Sequence, residues 1–400
     1  MEVRLLKPEE NVLFDAVMYV SFPGMEGKDI REMLKNPEEH KSEGRDKRWG
    51  YFDDKGKLLA GIIVTPFTIR MNGKDVKMAG IGGVATLPES RGLGCIRHIY
   101  EKAYPAMVED GQVFSFLYPF SYDYYRKFGY EMCYANNKVW IPLSQLSKYP
   151  YPRNLAAHEP GDDHAPYAKI YAAFIKDYNL AVVRDAKAWE DLLKRDPYKD
   201  RKFTYLISND AGEPVAYMLY TREEGEWGTG NLKMKEFCWA NAEGFRLGLG
   251  FMGRMSAEYQ KMCWESPDDV NVHLLIADCY DATHEVHCGG MNRIVSVLPA
   301  LETLTTPCGT GSVAIEVTDD YYPANAGKYL IQWNEGDIKV ARVEDVSADM
   351  AVSVQTLVQL VTGYITTAEA EYKNGTTIHG KRSELTALFP KRKLYLAERF

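Results

Sequence analysis

The stretch VATLPESRGLGCIR, residues 84–97, decides the fold of this 400-residue chain. An apolar run ends before Pro88, a loop with two glycines follows, and apolar residues then recur at helical spacing from Cys95 to Glu109. The stretch therefore predicts a strand, a short glycine turn and the start of a helix. The N-terminus of a helix presents unpaired backbone N–H groups and a partial positive charge, which suits an anion.

The turn itself, RGLG, carries the first candidate binding residues. Gly92 and Gly94 let the backbone approach an anion without an intervening Cβ atom, and Arg91 and Arg97 add cationic donors. Taken alone, the four residues RGLG favour an ordinary strand–helix connection. The strand before them and the helix after them favour a phosphate-binding turn. It is neither a Walker A loop, since no Lys-Ser pair follows, nor a GxGxxG motif.

The segments around this turn predict alternating strands and helices. A helical pattern over residues 9–22 and an Asn72-Gly73 hairpin signal precede the turn, and both residues of that hairpin turn need positive φ. A buried strand within residues 112–120 and a short helix ending in a turn at Gly129 follow it.

Tyrosines in SYDYYRKFGYE, residues 121–131, are candidates for acid–base chemistry. The ordinary pKa of tyrosine is about 10, so a positioned phenol keeps its proton at neutral pH and can donate it to a departing thiolate. The chain holds 27 tyrosines, and aromatic packing is the usual role of any one of them. The residues alone do not separate Tyr122, Tyr124, Tyr125 and Tyr130.

The rest of the chain predicts two further domains. Residues 148–166 hold four prolines and indicate a linker. A strand–turn–strand pattern followed by a helix over residues 243–259 then repeats the first region. From about residue 291, strands and the helical stripe MAVSVQTLVQLVTGYI indicate a mixed domain. We expect an α/β (α+β) fold with domains at residues 1–150, 151–290 and 291–400.

Two other motifs resemble sites but favour structural roles. RLGLG at residues 246–250 echoes RGLG, yet it lies inside a helical run, so we expect its glycines to permit close packing. His284, His287 and Cys288 have metal-binding side chains, but a fourth ligand at the usual spacing is missing, so we expect loop residues.

Composition and charge exclude several classes of function. A net charge of −8 argues against a nucleic-acid partner, which a basic face would serve. Seven single cysteines without a CxxC pair disfavour disulfides and zinc. From the polar start of the sequence and the lack of a long apolar run, we expect no signal peptide and no membrane-spanning segment. We expect a cytoplasmic protein with no metal and no membrane partner.

The order of strand, RGLG turn, helix, apolar strand and tyrosine-bearing helix resembles a GNAT-type acetyltransferase. More narrowly, VATLPESRGLG, LYPFSYDYYRKFGYE, the second GNAT-like pattern, the last domain and the terminal RF resemble the enhanced intracellular survival (Eis) family over essentially the whole chain. One departure from the general GNAT pattern is Ile96, where a small residue is usual. The resemblance implies tandem GNAT-like acyltransferase domains, the second degenerate, followed by a sterol-carrier-protein-like domain.

The resemblance also implies a cosubstrate, acetyl-CoA, and the residues that hold it. The strand edge would pair with the pantetheine arm through Val84, Ala85 and Thr86. The turn and the first helical residues would hold the pyrophosphate, through Arg91, Gly92, Leu93, Gly94, Cys95, Ile96 and Arg97.

By the same resemblance, Tyr125, five residues before Tyr130, matches the general acid. The terminal carboxylate of Phe400 matches the base that removes the amine proton, and Glu398 would line the same pocket and attract an ammonium group. The family further implies a homo-oligomer, with a hexamer as its form.

The function that we expect is therefore acetyl-CoA-dependent N-acetylation of a small-molecule primary amine. The family suggests aminoglycosides, acetylated at one or more positions, whereas nothing in the residues selects them over polyamines or protein lysines. A lipid or peptide carrier with a relic acetyltransferase domain is the alternative of another class, and the intact RGLG turn argues against it.

Overall fold

The computed structural model describes residues 1–22, 29–37, 44–223, 225, 229–373 and 375–398. Over these residues the strands form two sheets of seven strands, one of five and a two-stranded pair. The mixed sheets and their covering helices confirm the predicted α/β (α+β) fold.

The helices and strands follow one another in three groups. The first group comprises β1 (Glu2–Leu5), α1 (Asn11–Ser21), α2 (Ile30–Lys35), β2 (Lys47–Phe52), β3 (Leu58–Met71), β4 (Lys74–Thr86), α3 (Cys95–Glu109), β5 (Phe114–Leu117), α4 (Tyr122–Arg126) and β6 (Glu131–Met132). The second comprises β7 (Ala135–Pro142), β8 (Asn154–Ala157), α5 (Ala165–Phe174), β9 (Tyr178–Asn179), α6 (Ala186–Leu193), β10 (Lys202–Ser208), β11 (Pro214–Glu223), β12 (Gly230–Trp239), α7 (Ala242–Arg254), β13 (Tyr259–Ser266), β14 (Thr283–Cys288) and β15 (Met291–Ile294). The third comprises α8 (Val297–Glu302), β16 (Thr310–Thr318), β17 (Gly327–Asn334), β18 (Asp337–Val343), β19 (Met350–Ser353), α9 (Val354–Thr362), α10 (Thr367–Ala370), β20 (Thr377–Ile378), α11 (Arg382–Leu388) and β21 (Lys393–Leu394).

The first sheet has the order β1-β2-β3-β4-β5-β15-β6. Its longest hairpin joins β3 and β4 through Asn72 and Gly73, whose φ angles of 50° and 80° match the Asn-Gly signal. The helix predicted from Cys95 to Glu109 forms over those residues as α3 and packs on one face of the sheet. That packing fixes the turn before α3 at the end of β4.

The second sheet, of order β14-β7-β13-β12-β11-β10-β8, repeats the plan of the first. In each sheet an antiparallel meander leads into a helix, and the next strand returns parallel to the last strand of the meander. β4 pairs with β5 after α3, and β12 pairs with β13 after α7. This recurrence confirms the tandem arrangement expected from the sequence.

Two strands cross between the sheets. β7 precedes the predicted linker but lies in the second sheet between β13 and β14, where Val139 and Ile141 enter the core. β15 follows the second region but lies in the first sheet between β5 and β6. We still propose three domains with boundaries near residues 150 and 290. Strand pairing nevertheless links the domains, because β7 pairs beyond residue 150 and β15 pairs with strands of the first domain.

Two sequence-based expectations for local structure were wrong. The linker predicted at residues 148–166 contains β8, because Leu155 pairs with Ile207 at the edge of the second sheet, and α5 begins at Ala165. The helix predicted over residues 243–259 ends at Arg254, because Tyr259 already pairs with β12.

The C-terminal group packs on the face of the first sheet opposite α3. Ile69, Met78 and Phe116 of the first sheet share one apolar cluster with Leu357 and Val361 of α9. Of the helices that the structure describes, none combines the length and apolar character needed to cross a bilayer.

Candidate active site

β4 and β5 separate at one end and leave a wedge between them. Their parallel pairing ends at Ile81 and Leu117, whereas β4 continues to Thr86 and pairs there with β3. A β-bulge lies where the strands separate. Gly82 and Ala85 are three residues apart in β4, but their partners in β3, Ile63 and Gly61, are only two residues apart. Within the described chain, the β5 side of residues 82–86 has no strand partner. The Thr86 carbonyl accepts a hydrogen bond from Ser21 Oγ at 3.2 Å, and the rest of this edge is available to an extended ligand.

The predicted strand residues Val84, Ala85 and Thr86 lie in this wedge. Ala85 is buried in the cluster beneath α1, and the other two are half-buried. Their backbone, rather than their side chains, is therefore the part that a pantetheine arm would pair with.

The glycine turn stands at the open end of the wedge. Gly92 and Gly94 have φ angles of 80° and 75°, and a Cβ atom built at Gly92 meets nothing within 4 Å. At Gly94 such an atom meets only His98 Nε2, at 4.0 Å. These glycines are thus required by backbone conformation and not by close packing, and the turn faces open space.

The N-terminus of α3 has the features that an anion site needs. Gly94 occupies the N-cap position and no side chain caps the helix, so the backbone N–H groups of the first turn lack an intrahelical or side-chain acceptor. The side chains of Arg91, Leu93 and Arg97 are exposed around it. Cys95 and Ile96 are buried below it and offer backbone N–H groups only.

Tyr125 lies inside the aromatic cluster that closes the wedge. It sits on α4, which Ser121 caps by accepting a hydrogen bond from the Tyr124 N–H group at 3.3 Å. The Tyr125 ring is 2% exposed and lies edge-on to Phe120 and Tyr130, at 5.5 and 6.2 Å between ring centres. Burial raises the pKa of Tyr125 well above its ordinary value, so its phenol is protonated at neutral pH.

Hydrogen bonding separates the four candidate tyrosines. Tyr122 donates to the Gly289 carbonyl at 2.5 Å, and the Tyr130 hydroxyl bonds to Ser115 Oγ at 2.6 Å. The hydroxyls of Tyr124 and Tyr125 make no hydrogen bond to a described residue. Of these two, Tyr125 is the more buried and the one matched by resemblance. Its role as the general acid stays a prediction.

The C-terminal tail crosses from the second domain to the first. β21 pairs with β9, and Tyr395 and Leu396 are buried beyond it. The Glu398 carbonyl then accepts a hydrogen bond from the Tyr118 hydroxyl at 2.8 Å. Tyr118 directly follows β5, so the tail arrives at the same end of β5 as the wedge. Phe400 lies outside the described residues, and its proposed role stays a prediction.

The Glu398 side chain has a partner that the sequence did not reveal. Its Oε1 accepts from Arg184 Nε at 2.6 Å, and the same guanidinium pairs with Glu236 and lies over Tyr171, 4.1 Å from the ring centre. Burial raises the pKa of Glu398, and Arg184 acts in the opposite direction. Oε2 makes no hydrogen bond to a described residue.

The expected attraction of Glu398 for an ammonium group stays a prediction, because Arg184 already compensates much of its charge. Nothing in the sequence pointed to the partners of Tyr118 or Arg184: Tyr118 lies in the LYPFSYDYYRKFGYE segment without a role assigned to it, and Arg184 lies outside any motif. Only the pairing of distant segments brings them to the tail.

Of the two remaining motifs, RLGLG packs inside a helix. His284, His287 and Cys288 lie in β14, where they pair with β7, so the expected loop is a third local prediction that was wrong. Gly248 and Gly250 lie within α7, where added Cβ atoms would stand 2.4 Å from Phe237 Cζ and 2.0 Å from the Pro150 carbonyl oxygen. Asn241 caps α7 by accepting from the Gly244 N–H group. The described residues contain no group of three or more metal-binding side chains.

Comparison with known families agrees with this geometry. Residues 2–133 and 180–294 each match a model for an acetyltransferase (GNAT) domain, and together these matches span more than half of the chain. The chain therefore contains two GNAT acetyltransferase domains. Residues 297–397 match a sterol carrier protein domain, so the acetyltransferase has two GNAT domains and a third, sterol-carrier-like domain.

Solved structures with the same whole-chain architecture share the fold of this acetyltransferase. A probable N-acyltransferase from Enterococcus faecalis has 21% identity and a TM-score of 0.85, over 100% of this chain and 99% of its own. A GCN5-related N-acetyltransferase from Anabaena variabilis has 20% identity and a TM-score of 0.84. Eis1 from Mycobacterium abscessus has 18% identity and a TM-score of 0.81. Both matches cover 100% of this chain and 100% of the other chain. The architecture is therefore Eis-like. No curated protein matches the acetyltransferase.

Proposed function

We propose that this acetyltransferase transfers the acetyl group of acetyl-CoA to a primary amine of a small molecule, in its first domain. The observation that carries the proposal is the meeting, at one end of β4, of an unpaired strand edge, an uncapped helix N-terminus and a buried protonated tyrosine. The second GNAT domain lacks this combination, because Asn241 caps its corresponding helix.

The wedge and the turn fit acetyl-CoA. The open backbone of Val84, Ala85 and Thr86 would pair with the pantetheine amides and orient the thioester carbonyl. The turn from Arg91 to Gly94 and the first N–H groups of α3 would hold the pyrophosphate, with the Arg91 and Arg97 side chains adding charge. Bound there, acetyl-CoA supplies the activated acetyl group.

The chain's own residues would then manage the protons. Tyr125 keeps its proton at neutral pH and would donate it to the leaving sulfur. The Phe400 carboxylate would accept the proton of the attacking amine, and Glu398 would add negative charge for an ammonium group. The Glu398–Tyr118 hydrogen bond supports this arrangement, since it anchors the tail two residues before its end. Holding the two reactants together would supply much of the rate gain.

The proposal includes three classes of acceptor amine: an aminoglycoside, a polyamine and a protein lysine. A homo-oligomer, with a hexamer as its form, and a cytoplasmic location stay parts of the proposal. All seven cysteines are free thiols, which supports a reducing compartment.

The packing of the third domain disfavours the carrier alternative. Val313, Ile315, Leu357 and Val361 fill its interior and join the core of the first sheet. A carrier of apolar ligands would need that volume for its cargo.

An acetyl-transfer assay tests the proposal. Release of free CoA thiol is followed with acetyl-CoA and a panel of aminoglycosides, polyamines and lysine peptides, and mass spectrometry counts the acetyl groups added. Acetyl-CoA binding is measured separately by calorimetry. Binding with transfer to at least one amine supports the proposal, whereas no binding at about millimolar acetyl-CoA would favour the carrier alternative.

A further inference from the structure

A cleft of about 1390 Å³ lies between the two GNAT domains and reaches the C-terminal tail. Lys47 and Lys77 line it from the first domain, and the face of the second sheet that carries α6 lines it from the second. Ala397 and Glu398 form part of its wall. Because the Glu398 carbonyl is bonded to Tyr118 beside the wedge, the cleft is continuous with the acceptor pocket proposed at the tail.

The lining of the cleft is basic although the chain is acidic. Ten lysine and arginine side chains and six carboxylate side chains line it, whereas the whole chain has a net charge of −8. Lys202 and Lys235 form no ion pair with any residue that the structure describes. An acceptor that carries several ammonium groups and no anionic group would therefore meet net repulsion in this cleft.

A β-bulge in β12 places a cation beside the carboxylates of the cleft. Glu236 pairs with Leu219 and Met234 pairs with Tyr220, so Lys235 between them has no partner in β11. In a regular strand two consecutive side chains point to opposite faces. Here Lys235 and Glu236 both line the cleft, so the bulge brings a free ammonium group next to the carboxylate that Arg184 holds.

Two charged side chains in the cleft wall each keep a buried polar atom without a partner. Arg195 is 5% exposed, and its Nη2 donates to the Tyr220 carbonyl at 3.0 Å, but its Nε has no hydrogen-bond partner among the described residues. Oε2 of Glu398 has none either, while its Oε1 accepts from Arg184. One wall therefore presents an incompletely satisfied cation and an incompletely satisfied anion, which favours a ligand with charges of both signs.

Lys235 interacts with both of these charges. Partial desolvation in the cleft and the Arg195 charge lower the pKa of Lys235, whereas Glu236 and Glu398 act in the opposite direction. Two neighbouring cations are stabilised by an anion bound between them, and a carboxylate is stabilised by an ammonium group. The two preferences lie within the range of one small molecule, because the same lysine is affected by Arg195 and by Glu398.

We propose, resting on the function proposed above, that the acceptor is a small-molecule amine that also carries a phosphate or carboxylate group. Its amine would lie at Glu398, and its anionic group at Lys235 and Arg195, since ammonium and guanidinium groups are the usual partners of both anions. The amine nitrogen bonds to the acetyl carbon, the bond from that carbon to the CoA sulfur breaks, and the proton lost by the amine is balanced by the one gained by the sulfur. A purely cationic polyamine or aminoglycoside would be the poorer acceptor.

Acetyl transfer to four matched amines tests the proposal. Butylamine, γ-aminobutyrate, aminopropylphosphonate and diaminopropane share one amine and one spacer, and they end in a methyl, a carboxylate, a phosphonate and an ammonium group, respectively. Kanamycin is the larger, purely cationic reference. The double variant Lys202→Gln, Lys235→Gln is compared with Lys169→Gln, Lys339→Gln, which removes the same charge at exposed positions outside the cleft. Circular dichroism and thermal unfolding check that each variant is folded.

We expect kcat/KM for the better of the two anionic amines to exceed that for butylamine and for diaminopropane by at least about tenfold. This advantage should shrink to about threefold or less in the cleft variant, persist in the control, and weaken between about 50 and 200 mM salt. The better of the two anionic amines identifies phosphate or carboxylate as the preferred group.

Three results would overturn this inference while leaving the acetyltransferase function in place: diaminopropane used as well as the anionic amines, kanamycin acetylated but neither anionic amine, or an equal loss of the advantage in both variants. Bound acetyl-CoA without transfer to any amine, including those of the wider panel, would overturn the proposed function and this inference with it.

Discussion

At the scale of single residues, the hydroxyl environment of each tyrosine decides what it can do. The Tyr122 hydroxyl donates to the Gly289 carbonyl, and the Tyr130 hydroxyl shares a hydrogen bond with Ser115 Oγ. Tyr125 is as buried as Tyr130, but its hydroxyl makes no hydrogen bond to a described residue, and burial keeps it neutral. The same burial makes it a weaker acid, so its proton would move only as negative charge develops on the leaving sulfur.

Replacing Tyr125 with Phe removes the proposed acid without changing the volume of the ring. We expect kcat to fall by about a hundredfold or more, while calorimetry shows unchanged affinity for acetyl-CoA, because the wedge and the turn are intact. Tyr372→Phe, at an 88% exposed tyrosine, is the matched control and should leave both unchanged. A Tyr125→Phe enzyme with wild-type kcat would exclude the role.

The pKa of Tyr125 also predicts the alkaline side of the pH profile. An acid whose pKa is raised stays protonated to higher pH, so kcat should not fall between pH 7 and about 10. Deprotonation of the acceptor amine should instead raise the rate over that range. A falling limb near pH 9 that disappears in Tyr125→Phe would show that the pKa is not raised.

At the scale of elements, the glycine-rich segments RGLG and RLGLG have similar sequences but different structural surroundings. RGLG precedes a helix and faces open space, whereas RLGLG lies inside α7 against Phe237 and Pro150. Gly92→Ala should cost about 1 kcal/mol of stability, because its φ is positive, and should raise the KM for acetyl-CoA.

Gly248→Ala is the matched comparison within α7. Its new methyl group would meet Phe237 at 2.4 Å, so the free energy of unfolding should fall by about 1–3 kcal/mol with the KM for acetyl-CoA unchanged. Urea unfolding and steady-state kinetics measure the two quantities. The opposite pattern, with KM sensitive to residue 248 and not to residue 92, would exclude RGLG as the pyrophosphate turn.

Local signals explain which elements could be predicted from the sequence. The Asn72-Gly73 turn, the start of α3 at Cys95 and the turn at Gly129 depend on a few neighbouring residues, and the structure has all three. The exchange of β7 and β15 between the sheets depends on pairing between residues more than a hundred positions apart, which no local pattern records. The Arg184–Glu398 pair was missed for the same reason.

At the scale of the whole molecule, the first sheet and the third domain share a core, and a buried ion pair joins β15 of that sheet to the segment after β16. Arg293 of β15 pairs with Asp319 at 2.7 Å, and both side chains are almost fully buried. Asp319→Ala would leave the guanidinium without its counter-charge, so we expect the free energy of unfolding to fall by about 3–5 kcal/mol. The exposed neighbour Asp320→Ala should change it by less than about 0.5 kcal/mol.

Urea denaturation followed by circular dichroism measures this loss. Because Ile69, Met78 and Phe116 pack against α9, the first and third domains should unfold together in one transition. A third domain that kept its own separate transition in Asp319→Ala would show that the shared cluster does not couple them.

The tail links all three domains to the proposed chemistry. It leaves the third domain at α11, pairs with β9, and reaches Tyr118 of the first domain through Glu398. A short Gly-Ser extension after Phe400 would replace the proposed catalytic carboxylate with a peptide bond, so kcat should fall by about a hundredfold or more. The same extension before the exposed Met1 is the control and should leave kcat unchanged. Equal unfolding midpoints and equal acetyl-CoA affinities in the two proteins would assign the loss to the carboxylate, whereas full turnover in the C-terminally extended protein would exclude Phe400 as the base.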